Sequence, residues 1–225
     1  RLALQFGQAS LLLAQQLPNA ELAPDQWVPK VVFGAQPDIN DHLSRNMRRQ
    51  IRKAWNRMEL DGHTAKTDVY RTELEIAAVL PNLEKIHIQR DHNSGRASDR
   101  DDKRARALWS QLVYAHAATG EVEITCLSIG GEIAAYVIAM IDGQSYRVFD
   151  GHFDDEYARY SPGRIVESFV LERAMKDARF TELDWMVGIA AEKILTTNVN
   201  EARIQLVARS SRTAAPAAAR ELASA

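Results

Sequence analysis

The sequence contains one cysteine, no long apolar run and almost no net charge. Cys126 alone cannot form an internal disulfide, which is typical of a reducing compartment such as the cytosol. No stretch approaches the roughly 18 consecutive apolar residues of a transmembrane helix. A formal net charge of −2 provides no overall attraction to nucleic acid or to an anionic membrane. We therefore expect a cytoplasmic protein with no transmembrane segment and no nucleic-acid partner recognised through bulk charge.

Motifs of several catalytic classes are also missing. The chain has no Walker phosphate loop and no nucleophile elbow. No two of its histidines stand at metal-ligand spacing. Cys126 lies within a predicted strand, where burial as a small hydrophobic residue is typical. The sequence therefore predicts no metal site and disfavours covalent catalysis by serine or cysteine.

Length and composition predict one globular domain. With 225 residues, 46% hydrophobic and 26% charged, the chain can bury a sizeable core. We divide it into an N-terminal helix and connection over 1–40, a domain over 41–207 and an alanine-rich tail over 208–225 that we expect to be disordered. Because the chain begins at Arg1 and not Met, we expect residues 1–40 to be the remnant of a preceding unit.

The second half contains three strand-like runs that predict an antiparallel meander, over 123–129, 132–141 and 144–153. Gly130-Gly131 and Asp142-Gly143 separate these runs, and such pairs favour tight hairpin turns because they tolerate positive φ. The polar run over 90–102 is expected to be a mobile loop. Periodicity predicts the other elements, which are helices 2–17, 41–60, 74–88, 103–119 and 162–178 and strands 30–33, 68–76, 180–187 and 202–207.

The predicted helix over 41–60 is strongly basic on one side. Its cations are Arg45, Arg48, Arg49, Arg52, Lys53 and Arg57, opposed by the single late acid Glu59. This face is either a solvated flank or a surface that binds an acidic partner, a phosphate-bearing ligand or a membrane.

The segment from Arg159 to Arg164 begins the helix that follows the meander. Ser161 can cap that helix, Pro162 suits its first position and Gly163 allows close approach to the backbone. Free N–H groups and the helix dipole attract a phosphate there, and the two arginines add charge. We interpret this segment as an anion site, with a purely structural helix start as the alternative.

The order of these features resembles the CelD-like acetyltransferase domain of the GNAT superfamily, which is related in shape to the Fem aminoacyl transferases. The resemblance covers about 41–207. It rests on Ser44-Arg45, 83–90, 130–135, Phe153-Asp154, 160–163, 183–188 and Glu192-Lys193. It implies an α/β (α+β) fold with a mixed, largely antiparallel central sheet flanked by helices, preceded by a related half-domain.

The resemblance also implies an N-acyltransferase, which transfers an acetyl or other acyl group directly from acyl-CoA to the amine of a small molecule or sugar. The central strand, here 145–153, is expected to bulge or diverge from 180–187 and so to open a slot for the donor. The phosphates of coenzyme A would contact Arg159, Tyr160, Ser161, Gly163 and Arg164. This segment departs from the family pattern, because it has one residue more than Arg/Gln-x-x-Gly-x-Gly/Ala and lacks the second glycine.

Candidates for the proton steps are His152, Asp154 and Asp184, with Tyr160 as an acid toward the leaving thiolate. Each has a structural alternative: His152 can cap a strand end, and Asp154 can bond turn N–H groups. Asp184 interrupts an apolar run, so a charged carboxylate there needs a partner such as Arg164, Lys193 or the acceptor amine.

His87 and Arg90 stand one helical turn apart, and we interpret them, with Lys193, as the acceptor-binding residues. An ordinary helix surface is the alternative. The family's aromatic residue before its lysine is replaced here by Glu192.

Two other functional classes remain open. A Fem-like transferase would take its acyl group from charged tRNA and bind RNA on the basic face of helix 41–60. A non-catalytic module, for instance in exopolysaccharide biosynthesis, would account for the irregular phosphate segment.

Overall fold

A computed structural model describes residues 20–35, 37–186 and 197–208 of the chain. These residues divide between two compact units. The larger unit spans Pro29–Asn200. Of the smaller unit, the structure describes 20–28 and 201–208, which belong to two neighbouring strands. The predicted helix 2–17, the tail beyond 208, and Gly188 to Lys193 lie outside the described residues.

The helices are α1 (Ile39–His42), α2 (Arg45–Leu60), α3 (Glu73–Asn93), α4 (Lys103–Ala118) and α5 (Pro162–Lys176). The strands are β1 (Ala20–Val32), β2 (Ala65–Tyr70), β3 (Val122–Ile129), β4 (Glu132–Asp142), β5 (Ser145–Phe153), β6 (Glu182–Asp184) and β7 (Val199–Ala208). Short 3₁₀ helices cover Asp99–Asp101 and Asp155–Tyr160.

The larger unit is built on a mixed sheet in the order β2-β3-β4-β5-β6-β1. All neighbouring strands are antiparallel except β5 and β6, which run parallel. The predicted meander is confirmed, and its turns use Gly130 at φ 64° and Gly143 at φ 59°, values that side chains with a Cβ rarely adopt. The fold class predicted from the sequence is therefore confirmed.

Helices cover both faces of this sheet. Strand β4 alternates between them, with Val137 in a core cluster shared with α2 and α5, and Tyr136 and Ile138 in a second cluster shared with α3 and α4. Each fully buried large apolar side chain of this kind contributes about 1.5–3 kcal/mol. No helix among the described residues combines the length and hydropathy that crossing a bilayer requires.

Strand β5 contains a β-bulge. Val148 pairs with Ala139 and Asp150 pairs with Ile138, so Phe149 is an extra residue with no partner on β4. A bulge resets the alternation of side chains along a strand. Phe149 packs with the α3 and α4 core, and Asp150 turns to the same face.

Strands β5 and β6 pair only at the start of β5. The register joins Ser145 to Glu182 and Arg147 to Asp184. Beyond Arg147 the described residues give β5 no strand neighbour on that side. The divergence expected between this strand and 180–187 stays a prediction, because residues 187–196 lie outside the described part of the chain.

Two sequence-based element predictions are corrected by local capping. The helix predicted over 41–60 is two helices, because the Ser44 hydroxyl accepts the Met47 N–H at 3.1 Å and starts α2. The strand predicted over 68–76 ends at Tyr70, because Thr72 and Glu75 form a capping box that starts α3. Each cap gives a free backbone N–H in the first helical turn a side-chain acceptor and so fixes where the helix begins.

The prediction of a mobile loop over 90–102 is wrong. Helix α3 continues to Asn93, and Ser98 forms a capping box at the 3₁₀ helix that follows. Arg100 in this segment is only 4% exposed, because it pairs with Asp150 and stacks on the ring of Trp109 at 3.8 Å. A buried ion pair thus orders a segment whose composition is typical of a loop.

We predict that Cys126 does not react with a thiol reagent in the folded protein at pH 8. Burial raises the pKa of this thiol to about 12, with the Asp68 carboxylate adding to the effect. The reactive thiolate is therefore scarce as well as inaccessible. Absorbance after addition of dithionitrobenzoate checks this, with the urea-unfolded chain as the control that reacts fully. Rapid reaction of the native protein contradicts it.

Candidate active site

A buried polar cluster lies on the α3 face of β5. It consists of His87 from α3 and of Asp150 and His152 from β5. Asp150 and His152 are two residues apart on one strand, so their side chains leave the sheet on the same face. The rings of His87 and His152 meet edge to face with centroids 3.9 Å apart. Beyond the bulge, β5 and α3 thus bring two histidines and a carboxylate together.

Asp150 is held through one of its two oxygens. Its Oδ2 accepts the Tyr136 hydroxyl at 3.0 Å and Arg100 Nη2 at 2.9 Å. Its Oδ1 lies 3.4 Å from His152 Nε2 and 3.5 Å from His87 Nδ1. Burial alone would raise the pKa of Asp150, but the two histidines and Arg100 outweigh it and hold that pKa well below its usual value. Asp150 is therefore an anion at neutral pH.

Tyr136 remains a hydrogen-bond donor to this anion. Complete burial, reinforced by the Asp150 charge, raises the pKa of its phenol well above the usual value. The phenol therefore keeps its proton and stabilises the carboxylate.

His87 is fixed from its other side by carboxylates. Its Nε2 lies 3.1 Å from Asp91 Oδ2 and 3.5 Å from Asp99 Oδ1. Asp91 in turn accepts Arg96 Nη2 at 2.8 Å. The alternative of an ordinary helix surface does not apply to His87, which is 8% exposed.

Arg90, the predicted acceptor partner of His87, points elsewhere. Its Nη1 donates to Asp155 Oδ1 at 2.6 Å, and its guanidinium covers the Phe153 ring at 4.4 Å from the centroid. The two α3 side chains both reach the end of β5, but they contact different residues there. Lys193, the third predicted acceptor residue, lies outside the described residues.

The predicted catalytic aspartates do not join the cluster. Asp154 caps the 3₁₀ helix, since its Oδ1 accepts the Glu156 N–H at 3.0 Å. Asp184 is fully buried on β6 and pairs with Arg147 on β5. Arg147 stands five residues before His152, so Asp184 lies roughly 15 Å along the strand from the cluster. Asp184 accepts the Met186 N–H at 2.7 Å and lies 3.4 Å from Arg147 Nη1, a partner that the sequence did not suggest.

The predicted phosphate segment lies at the start of α5, but its side chains differ from expectation. Ser161 occupies the N-cap position as predicted, but it adopts the left-handed conformation with φ 49° and ψ 49°, and its side chain makes no cap bond. Tyr160 is 2% exposed, and its hydroxyl donates to Asp61 at 2.7 Å. Pro162 occupies the first helical position as predicted.

The two arginines of this segment already have partners. Arg159 Nη2 donates to Asp61 Oδ2 at 2.8 Å, and Arg164 Nη1 donates to the Gln50 side chain on α2. Gly163 lies against Phe153, where an added Cβ would meet the ring at 3.4 Å. The backbone N–H of Gly163 and the remaining guanidinium donors of Arg164 are the groups available to an anion here, while the Tyr160 side chain is enclosed.

Sequence reasoning missed Asp150, Tyr136, Arg100 and Asp91. One signal was present: Asp150 and His152 alternate on the same strand and so share a face. The contacts to Arg100 and Asp91 depend on how α3 and its following segment pack on β5, which spacing does not indicate.

The amino-acid sequence matches a known family. A family model described as an acetyltransferase (GNAT) domain matches residues 45–193. The chain belongs to the GNAT acetyltransferase family. No curated protein sequence matches it. The finer CelD-like assignment stays a prediction.

Solved structures share the GNAT fold at low identity. The C-terminal domain of a lysylphosphatidylglycerol synthetase from Agrobacterium fabrum aligns with TM-score 0.59 and 11% identity over 91% of this chain and 66% of that one. FemX aligns with TM-score 0.55 and 9% identity over 83% and 60%. The chain spans less than two thirds of both. L-PGS from Bacillus licheniformis aligns with TM-score 0.51 and 14% identity over 93% and 67%. At these identities the likeness concerns the fold alone.

We predict that Asp150→Asn lowers the stability of the protein at neutral pH by about 3 kcal/mol, because it leaves the buried Arg100 charge without its counter-ion. Urea unfolding followed by circular dichroism measures the change. Asp155→Asn is the matched control, since its pair with Arg90 is partly exposed and contributes about 1 kcal/mol or less. Equal effects of the two substitutions would contradict the assignment of Asp150 as the buried centre of the cluster.

Proposed function

We propose that this GNAT domain transfers an acyl group from acyl-CoA to an amine, and that the transfer takes place beside β5 just after its bulge. The observation that carries the proposal is that, among the described residues, β5 continues to Phe153 while its pairing with β6 ends at Arg147. A strand that loses its neighbour exposes backbone N–H groups on that edge. Such groups can polarise a thioester carbonyl without any dedicated side chain.

The start of α5 supplies the anion site for the donor. Backbone N–H groups in the first turn of a helix and its dipole favour phosphate. Gly163 and Arg164 are partly exposed there, next to Phe153 at the end of β5. We assign Ser161, Gly163 and Arg164 to phosphate binding; Arg159, tied to Asp61, adds charge at the rim.

The α3 face of β5 receives the acceptor. His152 is the most exposed member of the cluster, with 18% of its side chain accessible against 9% for Asp150. We assign His152 to take the proton that the amine releases as its nitrogen bonds to the acyl carbon. The carbon–sulfur bond breaks in the same transfer, and Asp150 stabilises the imidazolium.

A groove next to this face suits a cationic acceptor. It runs between α3 and the start of β4, and it is lined by Lys85, Gln89, Glu132, Asp154, Glu156 and Tyr157 among others. Three carboxylates against one ammonium attract a positively charged amine. This favours a small-molecule or sugar amine as the acceptor, with Asp154 as a binding residue. A cytoplasmic location fits the single buried thiol.

A second candidate takes its donor from tRNA. The basic side of α2 is exposed at Arg45, Arg49, Arg52, Lys53 and Arg57. The likeness of the chain's fold to that of FemX supports this second candidate. Retention on immobilised tRNA that falls steeply with salt, and is lost in an Arg52→Glu/Lys53→Glu variant, would favour it over acyl-CoA.

We predict that Arg164→Ala raises the KM for acyl-CoA about tenfold with little change in kcat, because one charged contact to a phosphate is lost. Initial rates of thiol release at varied acyl-CoA measure both constants. Arg104→Ala, which removes an exposed arginine from the start of α4, is the control. An unchanged KM would remove Arg164 from the donor site.

We predict that His152→Ala lowers kcat by about 10²–10⁴ while the KM for acyl-CoA stays within twofold, because proton transfer and not donor binding is lost. His92→Ala on the exposed side of α3 serves as control. Full activity of the His152 variant would exclude the assigned proton transfer while leaving the donor site intact.

A further inference from the structure

The three side chains of the cluster are spaced too widely for direct hydrogen bonds. Asp150 Oδ1 lies 3.4 Å from His152 Nε2 and 3.5 Å from His87 Nδ1. An N–H···O bond spans about 2.7–3.2 Å. Atoms at two corners of a tetrahedral zinc site are roughly 3.3–3.4 Å apart, since the bonds to the metal measure about 2.0–2.1 Å. The observed distances therefore match neighbouring ligands of one cation.

His87 presents a buried nitrogen to Asp150. Its Nδ1 has no hydrogen-bond partner among the described residues and faces Asp150 Oδ1 at 3.5 Å, in a side chain that is 10% exposed. Its Nε2 lies 3.1 Å from Asp91 Oδ2. In the tautomer that donates from Nε2 to Asp91, Nδ1 is a lone pair, and a cation between it and the carboxylate would stabilise both buried acceptors.

The surroundings fix all three groups in ligand orientation. Tyr136 and Arg100 occupy only Oδ2 of Asp150, which leaves Oδ1 toward the imidazoles. The contact of His87 Nε2 with Asp91 is the outer carboxylate that metal-binding histidines commonly have. The His152 ring is held against the His87 ring.

We propose that His87 Nδ1, His152 Nε2 and Asp150 Oδ1 form a binding site for a divalent transition-metal cation of the Zn²⁺ class. Two imidazoles and one carboxylate favour such a cation over Mg²⁺ or Ca²⁺, which prefer oxygen ligands. The prediction of no metal site rested on histidine spacing in the sequence; His87 and His152 meet only through the packing of α3 on β5.

The cation and the proton of the proposed transfer compete for the same nitrogen of His152. Bound Zn²⁺ is therefore expected to inhibit acyl transfer while leaving acyl-CoA binding unchanged. Binding of the cation itself does not rest on the proposed function, because it is measured without substrate. Tight Zn²⁺ binding with uninhibited transfer would uphold the site and exclude the proton role of His152.

The test is a titration of the chelator-treated full chain with ZnCl₂ against a chromophoric zinc chelator. We expect one Zn²⁺ per chain, with Co²⁺ also binding and Mg²⁺ in excess having no effect. At free Zn²⁺ about 100 times its Kd, the melting temperature should rise by roughly 5–10 °C. Failure of wild-type protein to bind Zn²⁺ overturns the proposal.

Matched variants separate this site from adventitious surface binding. His152→Ala should abolish stoichiometric binding, and Asp91→Asn should weaken it about 10–100-fold through the outer contact to His87. His92→Ala removes a half-exposed histidine from the same helix and should bind like the wild type. Because both imidazole variants change exposed or partly exposed positions, folding is checked by their melting in chelator. Retained binding in His152→Ala, or loss in His92→Ala alone, overturns the proposal.

Discussion

The β-bulge at Phe149 is the constraint on which the functional face of this protein depends. Without the extra residue, Asp150 would point to the opposite face from the one it occupies, toward the apolar core shared with α5. A carboxylate there would lack Arg100 and Tyr136, and its burial would be unfavourable. The bulge therefore turns Asp150 and His152 together toward α3, a short distance after the last described β5–β6 pair at Arg147. One backbone irregularity thus sets the direction of every β5 side chain in the polar cluster.

The buried charges of the cluster would destabilise the fold if they were unpaired, and the surrounding segments supply their partners. Asp150 and Arg100 are both almost completely buried, so each needs the other. Trp109 covers the guanidinium, and the segment between α3 and α4 folds over it. A polar stretch that composition marks as a loop becomes ordered because a charge inside the protein holds it. The order of the segment between α3 and α4 and the neutralisation of Asp150 thus depend on the same ion pair.

Much of the fold was predictable because it is encoded locally. The glycine turns of the meander, the amphipathic pattern of α2 and the Pro162 start of α5 each act over a few residues. The Thr72 and Ser98 capping boxes were equally local and were overlooked. For the site, His152 was predicted for proton transfer and His87 for acceptor binding, and the structure brings their rings together, a contact that the sequence did not suggest. Their meeting depends on the packing of α3 against a bulged strand, which no short-range pattern specifies.

Arg100 and Asp150 are 50 residues apart in sequence, and His87 and Asp150 come from elements separated by α4 and two strands. Contacts of such long range form only when most of the chain has collapsed, because loop closure must precede them. The cluster is therefore an all-or-none property of the folded larger unit. A proteolytic fragment or a partly folded intermediate that retains the meander still lacks it. Incompletely folded chains of this protein would consequently lack the polar cluster and any reactivity that depends on it.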